Sequence, residues 1–289
     1  MTHIPGFEFH ETPVDGHVVA YARGGSGVPV LLLHGFPQTH AMWHAIAPQL
    51  AQKFTVIAPD LRGYGASAKP EGTENYSFRN MAAGPLGLMR QLGFDRFHLV
   101  GHDRGARTAH RMALDAPDAP LSLCLMDIVP THLLLDDLSR QVAQAYYHWF
   151  FLAQPHPLPE TMIGHDPDAF FNSCLMGWGA TQTDSFDSKA LAAYRAAWRD
   201  PDTIRGMCAD YRAALRYDFD QDAADLGRKI DQPSLVLYGA EGVMGLAYDV
   251  GATWADRLSN MQVKALPGGH FFPDQYPDET ARALLDFLV

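Results

Sequence analysis

The run Gly101-His102-Asp103-Arg104-Gly105 constrains the fold of this chain more than any other stretch. It follows the apolar segment Phe97-His98-Leu99-Val100 and precedes a helix-like stretch from Ala106 to Leu114, so it joins a strand to a helix. Small residues on both sides let the backbone reverse so sharply that the middle side chain stands above a sheet. That middle residue is Asp103, where serine is the commoner occupant of such a turn. An aspartate there displaces a leaving group from carbon and forms an alkyl ester, whereas serine forms an acyl ester from a carbonyl. The residue type therefore favours carbon–halogen or epoxide chemistry over ester cleavage. The competing reading makes Asp103 an N-cap of the following helix, a common task for aspartate.

The rest of the chain alternates strand-like and helix-like segments. Phe7 to Thr12 and His17 to Ala22 flank the turn cluster Pro13-Val14-Asp15-Gly16 and predict an antiparallel pair, ended by Gly24-Gly25-Ser26-Gly27. Val28 to Leu33, Phe54 to Ala58, Leu121 to Met126, Ser234 to Tyr238 and Met261 to Leu266 read as strands, the first of them delivering His34-Gly35-Phe36-Pro37-Gln38 to its carboxyl end. Helices are expected over Ala41 to Leu50, Phe78 to Leu92, Leu246 to Leu258 and Asp278 to Val289. Between Thr131 and Lys229 the pattern changes to aromatic-rich helical stretches, notably Gln141 to Ala153, Asp168 to Met176 and Asp202 to Leu215. The expected architecture is α/β, a mostly parallel, eight-stranded sheet with helices on both faces. Residues 1–130 and 229–289 form its core, and 131–228 form an inserted all-helical cap.

Composition excludes several function classes. A net charge of −11 argues against a nucleic-acid partner, because phosphate backbones are bound by surplus Lys and Arg. The opening Met1-Thr2-His3-Ile4-Pro5-Gly6 lacks a basic segment followed by an apolar run, and no apolar stretch reaches the length of a membrane span, so a cytoplasmic protein with no membrane partner is expected. Cys124, Cys174 and Cys208 are too few and too widely spaced for a disulfide framework or a zinc cluster, and are read as buried filler. Neither a ligand cluster nor a dinucleotide fingerprint appears, so no metal or organic cofactor is implied.

A late Gly268-Gly269-His270 follows the last strand, which places a candidate base after the nucleophile in chain order. A carboxylate should orient its imidazole, and two candidates follow strands: Asp127, and Glu241 in Tyr238-Gly239-Ala240-Glu241. Asp127 is favoured because it is short and terminates its strand directly, although a helix-capping role would also suit it.

With these residues the sequence resembles the haloacetate dehalogenases of the α/β-hydrolase superfamily over essentially its whole length. The matching stretches are His34-Gly35-Phe36-Pro37-Gln38, Asp60-Leu61-Arg62-Gly63-Tyr64-Gly65, Gly101 to Arg107, Asp127-Ile128-Val129-Pro130-Thr131, His148-Trp149, Asp210-Tyr211-Arg212 and Gly268-Gly269-His270-Phe271. The first two are common to the superfamily; the sharper signal is Asp103-Arg104 with Arg107, because haloalkane dehalogenases and epoxide hydrolases usually place tryptophan after the nucleophilic aspartate. The resemblance implies a hydrolase with Asp103, Asp127 and His270 as catalytic residues, Arg104 and Arg107 on the substrate carboxylate, and His148, Trp149 and Tyr211 on the leaving halide. Its implied substrates are fluoroacetate and chloroacetate, converted to glycolate and halide.

The chemistry of the residues agrees with those roles. A guanidinium matches a carboxylate in plane and spacing, and two of them one turn apart at a helix start make an anion site that also keeps Asp103 ionised. Without the resemblance, Arg107 reads as a solvated or salt-bridged helix position. Each of His148, Trp149 and Tyr211 can point one donor at a departing halide, and the backbone N–H groups of Phe36 and Arg104 would face the oxyanion formed when water attacks the ester. Taken alone, Tyr146 to Phe150 reads as the core of a cap helix. Two other functions stay open: an epoxide hydrolase using the same Asp103 and His270 with Tyr147 and Tyr211 as proton donors, and a non-catalytic binding protein on the same fold. A homodimer is the default oligomer. Fluorine versus chlorine preference depends on cap packing and is not legible in the sequence.

Overall fold

Apolar residues that recur without alternation must be covered on both faces of a sheet. That holds for the last four residues of β3 (Val28–Leu33) and for all six of β4 (Phe54–Pro59), which are buried. The computed structural model describes residues 3–177 and 183–289, so Met1 and Thr2 of the opening segment and residues 178–182 of the helical stretch lie outside the described residues. The remaining strands are β1 (Glu8–Val14), β2 (His17–Gly25), β5 (Phe97–His102), β6 (Pro120–Met126), β7 (Ser234–Gly239) and β8 (Met261–Leu266). They form one eight-stranded sheet in the order β1-β2-β4-β3-β5-β6-β7-β8. The β1–β2 and β2–β4 pairs are antiparallel and all others parallel. Helices cover both faces; Phe78–Gln91 packs on Arg104–Asp115, and the closing helix Pro277–Leu288 packs on Ala47–Leu50.

Three local expectations are corrected. The strand β2 does not stop before Gly24; Gly24 and Gly25 pair with Val56 and Thr55, because the ladder to β4 outweighs the glycines' preference for a turn. The stretch Ala41 to Leu50 is not one helix but a short 3₁₀ turn, His40–Trp43, and a separate turn of helix, Ala47–Leu50. Pro48 lacks the N–H that a continuous helix would need there and is tolerated only in a first turn. Leu246 to Leu258 likewise divides into Val243–Ala247 and Val250–Trp254, where Asp249 accepts a hydrogen bond from Ala252 N at 3.0 Å and starts the second helix.

Between Thr131 and Ala224 every described regular element is helical. Gln141 to Ala153 breaks at Tyr146, and the helix Pro201–Ala213 continues into a π-helical turn, Ala214–Asp218, a distortion frequent near functional sites. Buried polar contacts tie these helices to loops at the carboxyl edge of the sheet: Tyr64 to Asp210, and Gln38 to both Tyr194 and Asp274. That edge also carries Phe36 after β3, Asp103 after β5, Asp127 after β6 and His270 after β8, because parallel strands all end on the same side.

Candidate active site

The turn after β5 works only with its glycines. A Cβ on Gly101 would lie 2.4 Å from Gly105 O, and one on Gly105 would lie 2.4 Å from both His34 O and Leu33 O. Between them Asp103 takes φ 48° and ψ −117°, a conformation that costs a non-glycine residue on the order of 1–3 kcal/mol and persists only where the surroundings impose it. Asp103 occupies the N-cap position of Arg104–Asp115, yet its side chain makes no capping bond. Instead Oδ2 accepts the backbone N–H of Phe36 at 3.0 Å, which sets aside the capping reading. The Arg104 N–H lies at the first helical position, where a helix offers no internal acceptor. Burial pushes the Asp103 carboxyl up, but the charges of His270, His102, Arg104 and Arg107 outweigh it and hold the group below the usual carboxylate value.

His270 Nδ1 lies 2.6 Å from Asp127 Oδ2, and Asp127 Oδ1 accepts Gly239 N at 2.9 Å. A carboxylate can only accept, so the imidazole carries its proton on Nδ1 and turns Nε2 away from Asp127. Asp127 itself has φ 53°, and the N-cap of the helix that follows, Thr131–Asp136, is Pro130, so Asp127 is not a helix cap. Glu241 is exposed. Burial disfavours protonated His270, but the hydrogen bond and charge of Asp127 and the charge of Asp103 more than offset it, raising the pKa. His102, unremarked in the sequence, steadies this loop: its Nε2–H donates to the His270 carbonyl at 2.7 Å, and burial keeps its own pKa down at about 4.

The two arginines converge on Trp149, with guanidinium carbons 5.0 Å (Arg104) and 4.8 Å (Arg107) from its ring centroid. Arg104 is fully buried and bound to Asp210: Nε donates to Oδ2 at 2.9 Å, and Nη2 to the backbone carbonyl at 3.0 Å and to Oδ1. Its Nη1 has no hydrogen-bond partner among the described residues. Arg107, 2% exposed, donates from Nη1 to Val129 O and Thr131 Oγ1, each at 3.0 Å. Among the described residues it has no carboxylate partner, and its Nε has no partner at all. Neither a solvated face nor a salt bridge describes it. Burial and the charge of Arg104 bring its pKa down to about 10.

His148, Trp149 and Tyr211 are buried together. His148 stacks on Phe36 at 5.8 Å, and Tyr211 meets His148 and Trp149 edge-on, each at 5.5 Å. Trp149 Nε1–H has no partner among the described residues, and burial lowers the His148 pKa to about 3, so its ring is neutral. Of the tyrosines considered as proton donors to an epoxide, Tyr211 lies in this cluster, whereas Tyr147 is 49% exposed and is corrected out of it. The residues the sequence missed, Tyr64, Asp210 as a partner of Arg104, and His102, are joined to the site across 100 residues or more or through backbone atoms, which no local pattern signals. Among the described residues no group of three His, Cys, Asp or Glu side chains could hold a metal ion.

A family model for the alpha/beta hydrolase fold matches residues 28–276. Over 286 residues, 98% of this chain and 94% of the other, the sequence is 54% identical to a fluoroacetate dehalogenase of Burkholderia sp. A soluble epoxide hydrolase of Corynebacterium sp. (strain C12) is 30% identical over 285 residues, 97% of this chain and 96% of the other. The solved structure of ALR0039 from Nostoc sp PCC 7120 superposes with a TM-score of 0.96 at 46% identity and covers 98% of both chains.

Proposed function

This chain belongs to the alpha/beta hydrolase family, and we propose that it hydrolyses the carbon–halogen bond of haloacetates, fluoroacetate and chloroacetate, to give glycolate and halide. The observation that carries this reading is Arg107, a buried guanidinium with no carboxylate partner among the described residues, beside a buried nucleophile. An unpaired buried charge is costly, and an anionic substrate supplies what it lacks.

In the first step Asp103 Oδ1 attacks the carbon next to the substrate carboxylate while Phe36 N–H holds Oδ2. The C–O bond of an ester forms, the carbon–halogen bond breaks, and halide leaves with the electron pair towards the donors of His148, Trp149 and Tyr211. In the second step His270 Nε2 takes a proton from water, whose oxygen adds to the Asp103 carboxyl carbon. Charge gathers on Oδ2, where the N–H groups of Phe36 and Arg104 meet it. Collapse breaks the ester bond and expels glycolate, whose alkoxide oxygen takes the proton from His270, and Asp103, left as the carboxylic acid that carries the water's oxygen and second proton, returns to the carboxylate by releasing that proton to solvent. Asp127 fixes the imidazole tautomer through its 2.6 Å bond. In this reading residues 131–228 cap a core made of 1–130 and 229–289, and the enzyme is a cytoplasmic homodimer that sedimentation of the purified protein would test. No described helix is long and apolar enough to cross a membrane.

The decisive experiment uses His270→Ala. It should release one halide per enzyme and stop there, so that intact-protein mass spectrometry finds a carboxymethyl group on Asp103. Halide release without the adduct would remove the two-step mechanism, and no release by the unaltered protein from either acid would remove the haloacetate reading. Similarity to an epoxide hydrolase motivates a parallel assay with a small epoxide, for which the exposed Tyr147 leaves the proton-donor pair incomplete.

A further inference from the structure

The loop that carries Phe36 and the loop that carries His270 are cross-linked by a buried contact that the mechanism above does not use. Gln38 lies just after Phe36, and its N–H donates to Gly35 O at 3.0 Å, closing the turn that presents the Phe36 N–H. Asp274 lies just after His270, and its N–H donates to Phe271 O at 2.9 Å, which fixes it to the His270 loop. Though 236 residues apart in the chain, the two side chains meet: Gln38 Nε2 donates to Asp274 Oδ2 at 2.8 Å. A third group comes from the helix Ser188–Trp198, whose Tyr194 hydroxyl accepts from Gln38 Nε2 at 3.1 Å and donates to Asp274 Oδ1 at 3.2 Å. All three residues are buried, so losing one member leaves the others short of a partner away from water. Burial pushes the Asp274 carboxyl up to about 7, with the bonds from Gln38 and Tyr194 opposing it and the charge of Asp187 adding to it.

We propose that Gln38 and Asp274, locked together by Tyr194, are positioning residues for the second chemical step, holding the turn that bears the Phe36 N–H at a fixed spacing from the loop that bears His270. The inference rests on the two-step haloacetate reading and assigns the cross-link to one of its steps. Ester formation needs Asp103 and the Phe36 N–H, which already meet at 3.0 Å, and makes no use of His270 as a base. Ester hydrolysis needs three parts in one geometry: the water held by His270 Nε2, the carboxyl carbon of Asp103, and the Phe36 N–H on the developing oxyanion. Phe36 follows β3 and His270 follows β8, and β5, β6 and β7 stand between those strands, so no direct ladder sets the spacing of the two loops. A loop-to-loop bond does, and Tyr194 holds both of its ends.

The test uses the full-length enzyme in single turnover with chloroacetate. Chloride release reports ester formation, and decay of the carboxymethyl ester, followed by quenching and intact-protein mass spectrometry, reports hydrolysis. Tyr194→Phe keeps the ring and removes the hydroxyl; Gln38→Met cuts the link from the Phe36 side and provides the reading if Tyr194→Phe does not fold. Each should slow ester decay about tenfold and chloride release by less than about threefold. Asp274→Asn keeps an acceptor oxygen for Gln38 and the shape of the neutral acid, so its ester decay should stay within about threefold of the unaltered enzyme, whereas Asp274→Ala should behave like Tyr194→Phe. Equal slowing of both steps, or unchanged ester decay in Tyr194→Phe and Gln38→Met, would overturn the proposal and leave the cross-link as scaffolding alone. The His270 Nδ1–H resonance adds a readout that needs no substrate: it should shift or broaden in Tyr194→Phe and hold its place in Asp274→Asn, and an unchanged resonance in Tyr194→Phe would also overturn the proposal. If the unaltered enzyme releases no halide from either acid, it is the haloacetate reading that fails, and the resonance still decides whether the cross-link positions His270.

Discussion

Replacing Arg107 with Leu separates what this residue does for the substrate from what it does for the fold. In the bound state the substrate carboxylate would lose a charged donor in a buried site. Truncating one partner of a buried charge pair costs roughly 2–5 kcal/mol, much of it the cost of leaving the other charge unpaired. At about 1.4 kcal/mol per tenfold, kcat/KM for fluoroacetate and chloroacetate should fall by roughly 30-fold to several thousand-fold. Stability should respond differently. Val129 O and Thr131 Oγ1 each lose a bond of 3.0 Å, worth about 1 kcal/mol apiece. Against that, the fold is relieved of a buried guanidinium without a carboxylate partner among the described residues. The two contributions oppose each other, so Tm should move by no more than about 4 °C. Halide release from both acids and from uncharged chloroacetamide, run beside thermal unfolding, provides the measurement. Haloacetate kcat/KM within about threefold of the unaltered enzyme would refute the carboxylate role. A large drop in Tm with equal losses on the acid and the amide would mean that Arg107 is structural.

Trp149→Phe keeps the bulk and removes one N–H, and should slow defluorination by roughly 10–100 fold while slowing dechlorination clearly less; equal losses would assign Trp149 to packing alone. Asp218 is pushed up to about 8 by burial, from 3.8 in an unfolded chain, so the native state binds the extra proton between those values and the contribution of this group to stability falls as pH rises through that window. Asp218→Asn keeps an acceptor for Phe78 N, 2.9 Å away, and removes the titration, so its Tm relative to the unaltered protein should climb from pH 5 to pH 9; a constant difference would contradict the buried-acid account.

The sheet was legible because its strands are written in runs that have no other use. Val28 to Leu33 and Phe54 to Ala58 can only be covered on both faces, and the glycines around Asp103 answer to backbone contacts of 2.4 Å. Helix continuity was not legible where one proline or one capping aspartate decided it, as at Pro48 and Asp249. Within the site, the turn geometry of Asp103 and the lateness of His270 are local signals. The pairing of His270 with Asp127 and the exposure of Glu241 become visible only when β6, β7 and β8 lie side by side. The state of the two arginines was hidden for the same reason. Arg104 and Arg107 look equivalent one turn apart on a helix, and what distinguishes them is Asp210 on a distant helix and the Val129 carbonyl, which has no side-chain signature at all.

On the proposed mechanism, the same charges would set the order of the two chemical steps. Asp103 and the substrate are both anions, and two unit charges about 4 Å apart repel by about 4 kcal/mol at an effective dielectric of about 20, so the first step needs a cation that faces both. Arg107 can meet that need because among the described residues its charge is not already spent on a carboxylate. Asp103 in turn helps to raise the pKa of His270, behind the larger contributions of burial, which lowers it, and Asp127, which raises it. Once the ester forms, Asp103 is neutral and its contribution vanishes, so His270 should release its proton more readily in the intermediate than in the free enzyme. The base is then neutral at the stage that requires it. Hydrolysis of the preformed ester in single turnover should therefore lose activity on acidification with a midpoint below the His270 titration measured by NMR in the free protein. Coincident midpoints would mean that Asp103 charge does not reach His270, and the electrostatic ordering of the two steps would have to be abandoned.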